Sequence, residues 1–378
     1  MGFYDVLQND EKAIYNLREL YRKHGYSHYK VSKFEEYDFY AGNKNFLVSE
    51  NILTFTDTDG KLMALKPDVT LSIIKNVVPE DSSIHKLYYN EYVYRTSAEN
   101  NGFREIMQTG VECIGEADGF SECEVIMLAM KSLETVSEDY LLDISHMGLI
   151  EGIMELAEIE GRDVSSFLKL ISAKNIPGVR VFCEKKNIPA EIADKICTLA
   201  EMYLPINDAL SKIEDMVISD KMKKAYDELC RIANAMELYG IADKLYLDIS
   251  VINDMNYYDG VIFNGFIKDI PESVLSGGRY DRLLSKLGKT VGAIGFAVYL
   301  DKLERFGGDE AKYDVDIMLT YGEGVEVKDI VCAVDALNKE GKTVRASAMA
   351  DANVRYRQRM HMEKKATGIE VEVIEKHD

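Results

Sequence analysis

The side chains of this chain that are able to do chemistry divide into a scattered group and a gathered one. The scattered group holds sulfur and imidazole. Six cysteines, Cys113, Cys123, Cys183, Cys197, Cys230 and Cys332, stand singly with no Cys-x-x-Cys pair, and the six histidines are read as adding no ligand set. Zinc binding needs thiolates or imidazoles at short, regular spacings. No metal and no cofactor is therefore expected, and the cysteines are taken as reduced, mostly buried small hydrophobes. The gathered group consists of carboxylates, arginines and tyrosines in four short segments: Leu65-Lys-Pro-Asp-Val-Thr70; Tyr94-Arg95 through Phe103-Arg104-Glu105 to Gln108-Thr-Gly-Val-Glu112; Asn256-Tyr257-Tyr258-Asp-Gly260; and Ser276-Gly-Gly-Arg-Tyr-Asp281 followed by Gly295-Phe-Ala297. Each has an ordinary explanation when taken alone. Asp68 and Glu112 could be solvated surface carboxylates, and Tyr257, Tyr258 and Tyr280 could be core or interface aromatics.

The elements that must position these segments follow from periodicity and punctuation. Asp10 can cap a helix whose apolar face uses Ile14, Leu17 and Tyr21 and which Gly25 stops. A strand is expected over Tyr26 to Val31. The runs Asn51 to Asp57 and Leu62 to Leu65 flank Asp59-Gly60, a hairpin signal, and Val69 to Val77 reads as a short amphipathic helix. Lys86 to Arg95 and Phe103 to Gly115 read as an antiparallel strand pair around a polar loop holding Glu99-Asn-Asn-Gly102. From about residue 150 to 240 glycine is sparse and Leu, Ala, Ile, Met, Lys and Glu recur at helical spacing, which predicts a helical insertion. Strand patterns return over Leu245 to Val251, Tyr257 to Ile267 and Val291 to Ala297. Phe306-Gly-Gly-Asp reads as a linker. Beyond it Val315 to Leu319, Val327 to Glu340 and Val344 to Ser347 make a strand-helix-strand unit. The expected fold is α+β. A core of residues 1–308 holds one mostly antiparallel sheet flanked by helices, and a small C-terminal α/β domain spans 313–378.

Composition narrows the function classes. The 378 residues and 42.8 kDa are enough for a large core domain plus a smaller unit. Hydrophobic content of 47% and charged content of 29% are ordinary for a globular chain and exclude disorder and collagen-like structure. No stretch approaches the roughly 18 consecutive apolar residues needed to cross a bilayer, and the N-terminus lacks a secretory pattern. A cytoplasmic protein with no membrane partner is expected. The net charge of −20 would repel a polyphosphate such as tRNA, because nucleic-acid binding neutralises phosphates with Lys and Arg. No nucleic-acid partner is expected either.

In order and with sensible spacing, the four segments resemble the class II aminoacyl-tRNA synthetase core, and specifically histidyl-tRNA synthetase, over roughly residues 1 to 306. The first is similar to that family's Leu-Arg-Pro-Glu-Gly-Thr element. The second resembles motif 2 with its Gln-x-Gly-x-Glu ending. The third is similar to Asp-Tyr-Tyr-x-Gly, and the fourth to Gly-Gly-Arg-Tyr-Asp plus motif 3. The resemblance implies a histidine pocket. Asp68 and Gln108 would take the α-amino group, Glu112 and Tyr258 would hold the imidazole, Arg95 would sit near the carboxylate, and Tyr257 and Tyr280 would line the wall. These roles make physical sense, because a zwitterion with an imidazole needs a carboxylate for its ammonium group and a hydrogen-bonding partner for its ring.

The resemblance fails at the cations that make an aminoacyl adenylate. Asn253 stands where the family has Arg, and Gly295-Phe-Ala-Val-Tyr299-Leu-Asp301-Lys302 replaces Gly-Phe-Ala-x-Gly-x-Glu/Asp-Arg. Arg95-Thr-Ser-Ala98 and Asn101-Gly-Phe-Arg104 together lose a further Arg, and Ser32 stands near the place of the motif 1 proline before Glu35. Removing one preorganised electrostatic group lowers a rate by about a hundred- to a thousandfold. Two or three such losses leave negligible ligase activity. The resemblance therefore implies a non-catalytic relative, similar to the regulatory subunits of two-component ATP phosphoribosyltransferase. Such a subunit partners a short-form catalytic subunit at the first step of histidine synthesis, confers feedback inhibition by histidine as effector, and self-associates as a synthetase-like dimer. An active histidyl-tRNA synthetase is the alternative, and a related ATP-dependent ligase for another amino acid or a protein lysine is a third. Both need the missing arginines.

Overall fold

A computed structural model of the chain describes residues 7, 9–43, 52–77, 83–96, 102–115, 118–252, 257–304 and 312–377. Asn51, Ser97, Ala98, the Glu99–Asn101 part of the polar loop, Asn253, Asn256 and the Phe306–Asp309 linker lie outside the described residues. The chain divides into two compact units. One is Asp10–Phe306, and the other includes Gly307–Asp378.

The first unit begins with helix α1 (Asn9–Lys23), strands β1 (Ser27–His28) and β2 (Phe34–Glu36), helix α2 (Tyr37–Ala41), and strands β3 (Thr54–Thr56) and β4 (Leu62–Leu65). Helix α3 (Val69–Asn76), strands β5 (His85–Thr96) and β6 (Phe103–Gly115), helix α4 (Gly119–Val136) and strand β7 (Tyr140–His146) follow. Helices α5 (Met147–Leu156), α6 (Arg162–Ser172), α7 (Ile176–Lys185) and α8 (Ala190–Glu201) lead to strand β8 (Tyr203–Pro205), then helices α9 (Ile206–Ile213) and α10 (Asp220–Leu238). Strands β9 (Leu245–Asp248), β10 (Val261–Ile267) and β11 (Leu275–Arg279), helix α11 (Asp281–Lys286), strand β12 (Gly292–Tyr299) and helix α12 (Leu300–Glu304) close the unit.

Nine strands form one sheet in the order β1-β5-β6-β12-β11-β10-β7-β9-β8, and only β1 with β5 and β7 with β9 pair in parallel. The predicted strand pair runs antiparallel as β5 and β6, from His85 opposite Ile114 to Thr96 opposite Phe103. The predicted hairpin forms between β3 and β4, with Asp57 Oδ1 accepting the amides of Asp59 and Lys61 and Gly60 at φ +81°.

Several elements differ from the sequence expectation, each for a local physical reason. The strand after α1 is two residues long. Tyr29 N–H still reaches Tyr88 O, but the Val31 amide donates to the Glu91 carboxylate and leaves the ladder. Strand β10 starts at Val261, because Asp259 bends away to accept the amides of Asp281 and Arg282 at the head of α11. The helical insertion contributes a strand of its own, as β8 pairs with β9 at the sheet edge. Helix α4 carries no periodic signal because it is buried on nearly every side, its buried residues running from Ser121 through Leu133. Strand β11 hides behind Gly277 and Gly278. A Cβ at Gly277 would come 2.5 Å from the Phe296 Cβ, and one at Gly278 would come 2.7 Å from the Tyr258 ring. Strand propensity there has given way to close packing.

The second unit is a four-stranded sheet of β13 (Val315–Tyr321), β14 (Val344–Ser347), β15 (Tyr356–Lys365) and β16 (Gly368–Lys376) in the order β14-β13-β15-β16, with helix α13 (Val327–Lys339). Strand β13 is parallel to both β14 and β15, and β15 and β16 form an antiparallel hairpin that the sequence pattern does not predict. Ile330, Ala333, Val334 and Leu337 of α13 pack on Ile317, Leu319 and Met362.

Candidate functional site

Strand β4 leads directly into α3 through Lys66-Pro67-Asp68, and this corner sets the first site residue. Asp68 is the N-cap of α3. Its Oδ1 accepts the Leu71 amide at 2.8 Å, satisfying one of the orphan donors of the helix start. The Arg95 guanidinium lies 3.9 Å from Asp68 Oδ2, and Arg95 Nε donates to Pro67 O at 3.0 Å, so β5 and the corner are tied together. Burial pushes the Asp68 carboxyl upward, against the pull of Arg95 and the helix amides.

Glu112, on β6, lies 42 residues from one partner and 168 from the other. Thr70, on the first turn of α3, donates its hydroxyl to Oε1 at 2.6 Å, and the Tyr280 hydroxyl donates to Oε2. The backbone of β12 passes so close that Gly295, directly opposite Glu112 in the ladder, has no room for a side chain: a Cβ there would overlap Glu112 Oε2. Only 2% of Glu112 is exposed. Burial, opposed only by the two hydroxyls, holds its carboxyl up to about 8. At neutral pH this carboxyl is largely protonated, and it can either give a proton to an imidazole nitrogen or accept one from it.

Around these two acids stand the aromatics. Tyr257 lies 4.6 Å from Tyr258 and 5.8 Å from Tyr280 between ring centroids. Gln108, on β6 four residues before Glu112, is buried beside them. All seven residues predicted from the sequence, Asp68, Arg95, Gln108, Glu112, Tyr257, Tyr258 and Tyr280, line one cavity of about 700 Å³. Thr70, Tyr89, Asn264, Ser273 and Ser276 also line it and were not predicted as site residues. Thr70 and Ser276 stand inside two of the four segments, so the signal was at hand. Tyr89 and Asn264 occupy strand interiors, where nothing in the sequence separates a lining residue from a core one.

The other end of the cavity holds Tyr299, Asp301 and Lys302. The Tyr299 hydroxyl is 2.6 Å from Ser276 Oγ, and Lys302 Nζ lies 5.1 Å from the centre of the Tyr299 ring. That ammonium group donates to Ser273 O at 2.7 Å and pairs with Glu272 at 3.0 Å. Arg104 sits 4.0 Å from Asp301. The cations here are engaged by groups of the chain itself.

Among the described residues the cysteines gather into no second centre. Cys113, Cys123, Cys183 and Cys197 are buried, Cys230 is half-buried and Cys332 exposed, all as free thiols. His24 and His28 do stand four apart, a spacing not counted among the candidate ligand sets. The helix ends at Lys23, however, with Gly25 at φ +81°, and the two rings part: His24 Nδ1 bonds Leu20 O, and His28 lies 5.1 Å from the Tyr88 ring. Among the described residues no group of three or more His, Cys, Asp or Glu is placed to hold a metal ion, and no helix is long and apolar enough to cross a membrane.

Comparison with known proteins places this site in a family context. The histidyl-tRNA synthetase family model matches residues 2–303. The chain is 30% identical over 353 residues to an ATP phosphoribosyltransferase regulatory subunit from Caldanaerobacter subterraneus subsp. tengcongensis, covering 90% of each protein. It is similar in fold to a Bacillus halodurans C protein described as an ATP phosphoribosyltransferase regulatory subunit/histidyl-tRNA synthetase, with a TM-score of 0.74, 22% identity and 95% of each chain covered. It is likewise similar in fold to a chain of an ATP phosphoribosyltransferase complex from Thermotoga maritima, with a TM-score of 0.62, 20% identity, and 77% of this chain and 97% of that one covered.

Proposed function

This chain belongs to the histidyl-tRNA synthetase family and, within it, to the ATP phosphoribosyltransferase regulatory subunits, and from that membership we propose how its cavity works. The chain serves as the regulatory subunit of ATP phosphoribosyltransferase, assembling with a short-form catalytic subunit at the first step of histidine biosynthesis. Its cavity takes free histidine. Asp68 and Gln108 receive the α-amino group, Arg95 faces the carboxylate, Glu112 and Tyr258 hold the imidazole, and Tyr257 and Tyr280 form the wall.

The observation that carries this reading is the convergence of all seven side chains on one cavity, with a buried carboxyl, Glu112, held near 8 by its surroundings. Imidazole titrates at about 6.5. An acid raised above that value stays protonated at neutral pH and can hydrogen-bond the neutral ring as a donor, which an exposed, ionised glutamate would not do.

Catalysis on ATP is not among the roles proposed for the chain. Phosphoryl and adenylyl chemistry needs preorganised cations free to meet developing charge, whereas Lys302 and Arg104 face Ser273, Glu272 and Asp301 of the same chain. The Tyr299 ring stands where the family pattern has glycine. The core of residues 1–308 carries the effector, the helical insertion and the domain of 313–378 are the candidates for the partner-facing surface, and the subunit works in the cytoplasm.

Histidine acts by shifting the complex toward the state that binds it more tightly, and feedback inhibition follows if that state is the less active one. The deciding experiment mixes the purified chain with a short-form catalytic subunit and follows phosphoribosyl-ATP formation with and without histidine. Activity that requires the chain and falls with histidine supports the reading. Activity indifferent to both overturns it, and histidine-dependent pyrophosphate exchange by the chain alone would restore the synthetase alternative.

A further inference from the structure

Beneath the corner that carries Asp68 lies an ion pair that the histidine site does not itself use. Lys66 is wholly buried, with 0% of its side chain exposed, and its ammonium group lies 2.8 Å from Glu91 Oε2, of which only 11% is exposed. Burying a lysine is unfavourable unless it is paired, and burial indeed presses Lys66 downward in pKa. Replacing such a pair with apolar side chains is often neutral or stabilising, so stability alone gives no reason for this one.

Its connections give one. The second Glu91 oxygen accepts the Val31 amide at 2.9 Å, taking that residue out of the β1 ladder. Lys66 itself bridges by its backbone, its amide donating to Lys33 O at 3.0 Å and its carbonyl accepting from Tyr94 at 2.9 Å. The next carbonyl, of Pro67, receives Arg95 Nε, and the next side chain is Asp68. Glu91 also stands directly across the ladder from Gln108, so the pair adjoins both residues assigned to the α-amino group. Val31 and Tyr29 pack in the same apolar cluster as Val69, Leu71 and Tyr280, with Tyr257 and Tyr258 against it. Hydrogen bonds and packing thus run side by side from the edge strand to the cavity.

We propose that Lys66 and Glu91 are positioning residues that couple occupancy of the amino-acid cavity to the Val31–Lys33 segment that follows β1, the edge strand of the nine-stranded sheet. A ligand ammonium drawn to Asp68 fixes the corner, the corner fixes Lys66 and Glu91, and Glu91 holds the Val31 amide. By reciprocity, whatever displaces the edge segment weakens the ligand. The Lys66 charge must also be neutralised by Glu91, or it would repel the incoming ammonium beside Asp68. This inference rests on the histidine reading of the cavity.

The test combines histidine titration calorimetry on the native chain, Glu91→Gln and Lys66→Arg with amide hydrogen exchange of the native chain. Glu91→Gln removes the charge and keeps one of the two acceptor oxygens, its amide nitrogen being unable to accept from the second donor, so histidine affinity should fall about tenfold, whereas Lys66→Arg, which keeps the ion pair, should stay within about threefold of native. Histidine should slow exchange of the Val31 amide in the native chain, a response that mere structural support would not produce. Should Glu91→Gln fail to fold, the Val31 exchange and Lys66→Arg decide alone. Native affinity in Glu91→Gln, Lys66→Arg as weak as Glu91→Gln, or an unresponsive Val31 amide overturns the coupling and leaves the histidine reading intact. A native chain that binds no histidine overturns both.

Discussion

The two ends of the cavity are built on different terms. At the buried end, Glu112, Gln108 and Tyr280 are 2 to 3% exposed, and Glu112 has only hydroxyls for partners. At the open end, the side chains of Asp301 and Lys302 are 21% and 28% exposed, and each charge already faces an opposite one or a carbonyl. A low-dielectric pocket amplifies every hydrogen bond made to a ligand and penalises every one left unmade. A solvated mouth does neither. On the proposed reading, the buried end selects the ligand and the open end contributes little.

The sharpest break of this contrast is Asp68→Asn. Asparagine caps a helix as well as aspartate does, so α3 should persist while the charge for the ligand ammonium is lost. Histidine affinity measured by calorimetry should fall about a hundredfold, the scale of a buried charge-assisted hydrogen bond. A fall of less than threefold would place the ammonium elsewhere.

Next comes the pH profile. With Glu112 held up to about 8 and free imidazole titrating at about 6.5, the bound pair carries one shared proton. Below about 6.5 both partners are protonated, and binding must release a proton; above 8 both are deprotonated, and it must take one up. Affinity should be greatest between those values and drop about tenfold per pH unit on either side. A flat profile from pH 5.5 to 9 would remove Glu112 from the contact.

Tyr280→Phe deletes one of the two donors to Glu112. The loss of a neutral hydrogen bond in a buried site should weaken histidine by about tenfold and move the alkaline limb of the pH profile upward, because the carboxylate loses stabilisation. The smallest effect is expected at the mouth. Tyr299→Phe, which removes only the bond to Ser276, should change histidine affinity by less than about threefold. A tenfold loss there would show that the two ends act as one.

Much of this site could be read before any coordinates, because each of the seven residues sits in a short segment whose order and spacing are local properties of the chain. The strand pair β5 and β6, the helix α3 and the insertion were legible for the same reason: alternation, helical spacing and glycine punctuation are written within a dozen residues. Helix α4, uniformly buried, and strand β11, built from Leu-Ser-Gly-Gly-Arg, carry no such signature. Their character is imposed by neighbours from distant parts of the chain.

What the sequence by itself determined is which residue types stand where along the chain, and with them the family and the pattern of elements, with Lys302 standing where the family pattern has arginine and Tyr299 where it has glycine. Only the tertiary structure decided what those residues became. Glu112 is an ordinary glutamate until Thr70 and Tyr280 reach it and water leaves, and Lys66 is an ordinary lysine until Glu91 meets it inside the fold. Solvation and long-range pairing set a group's charge and its energy, and both come into being only when segments far apart in the chain pack together.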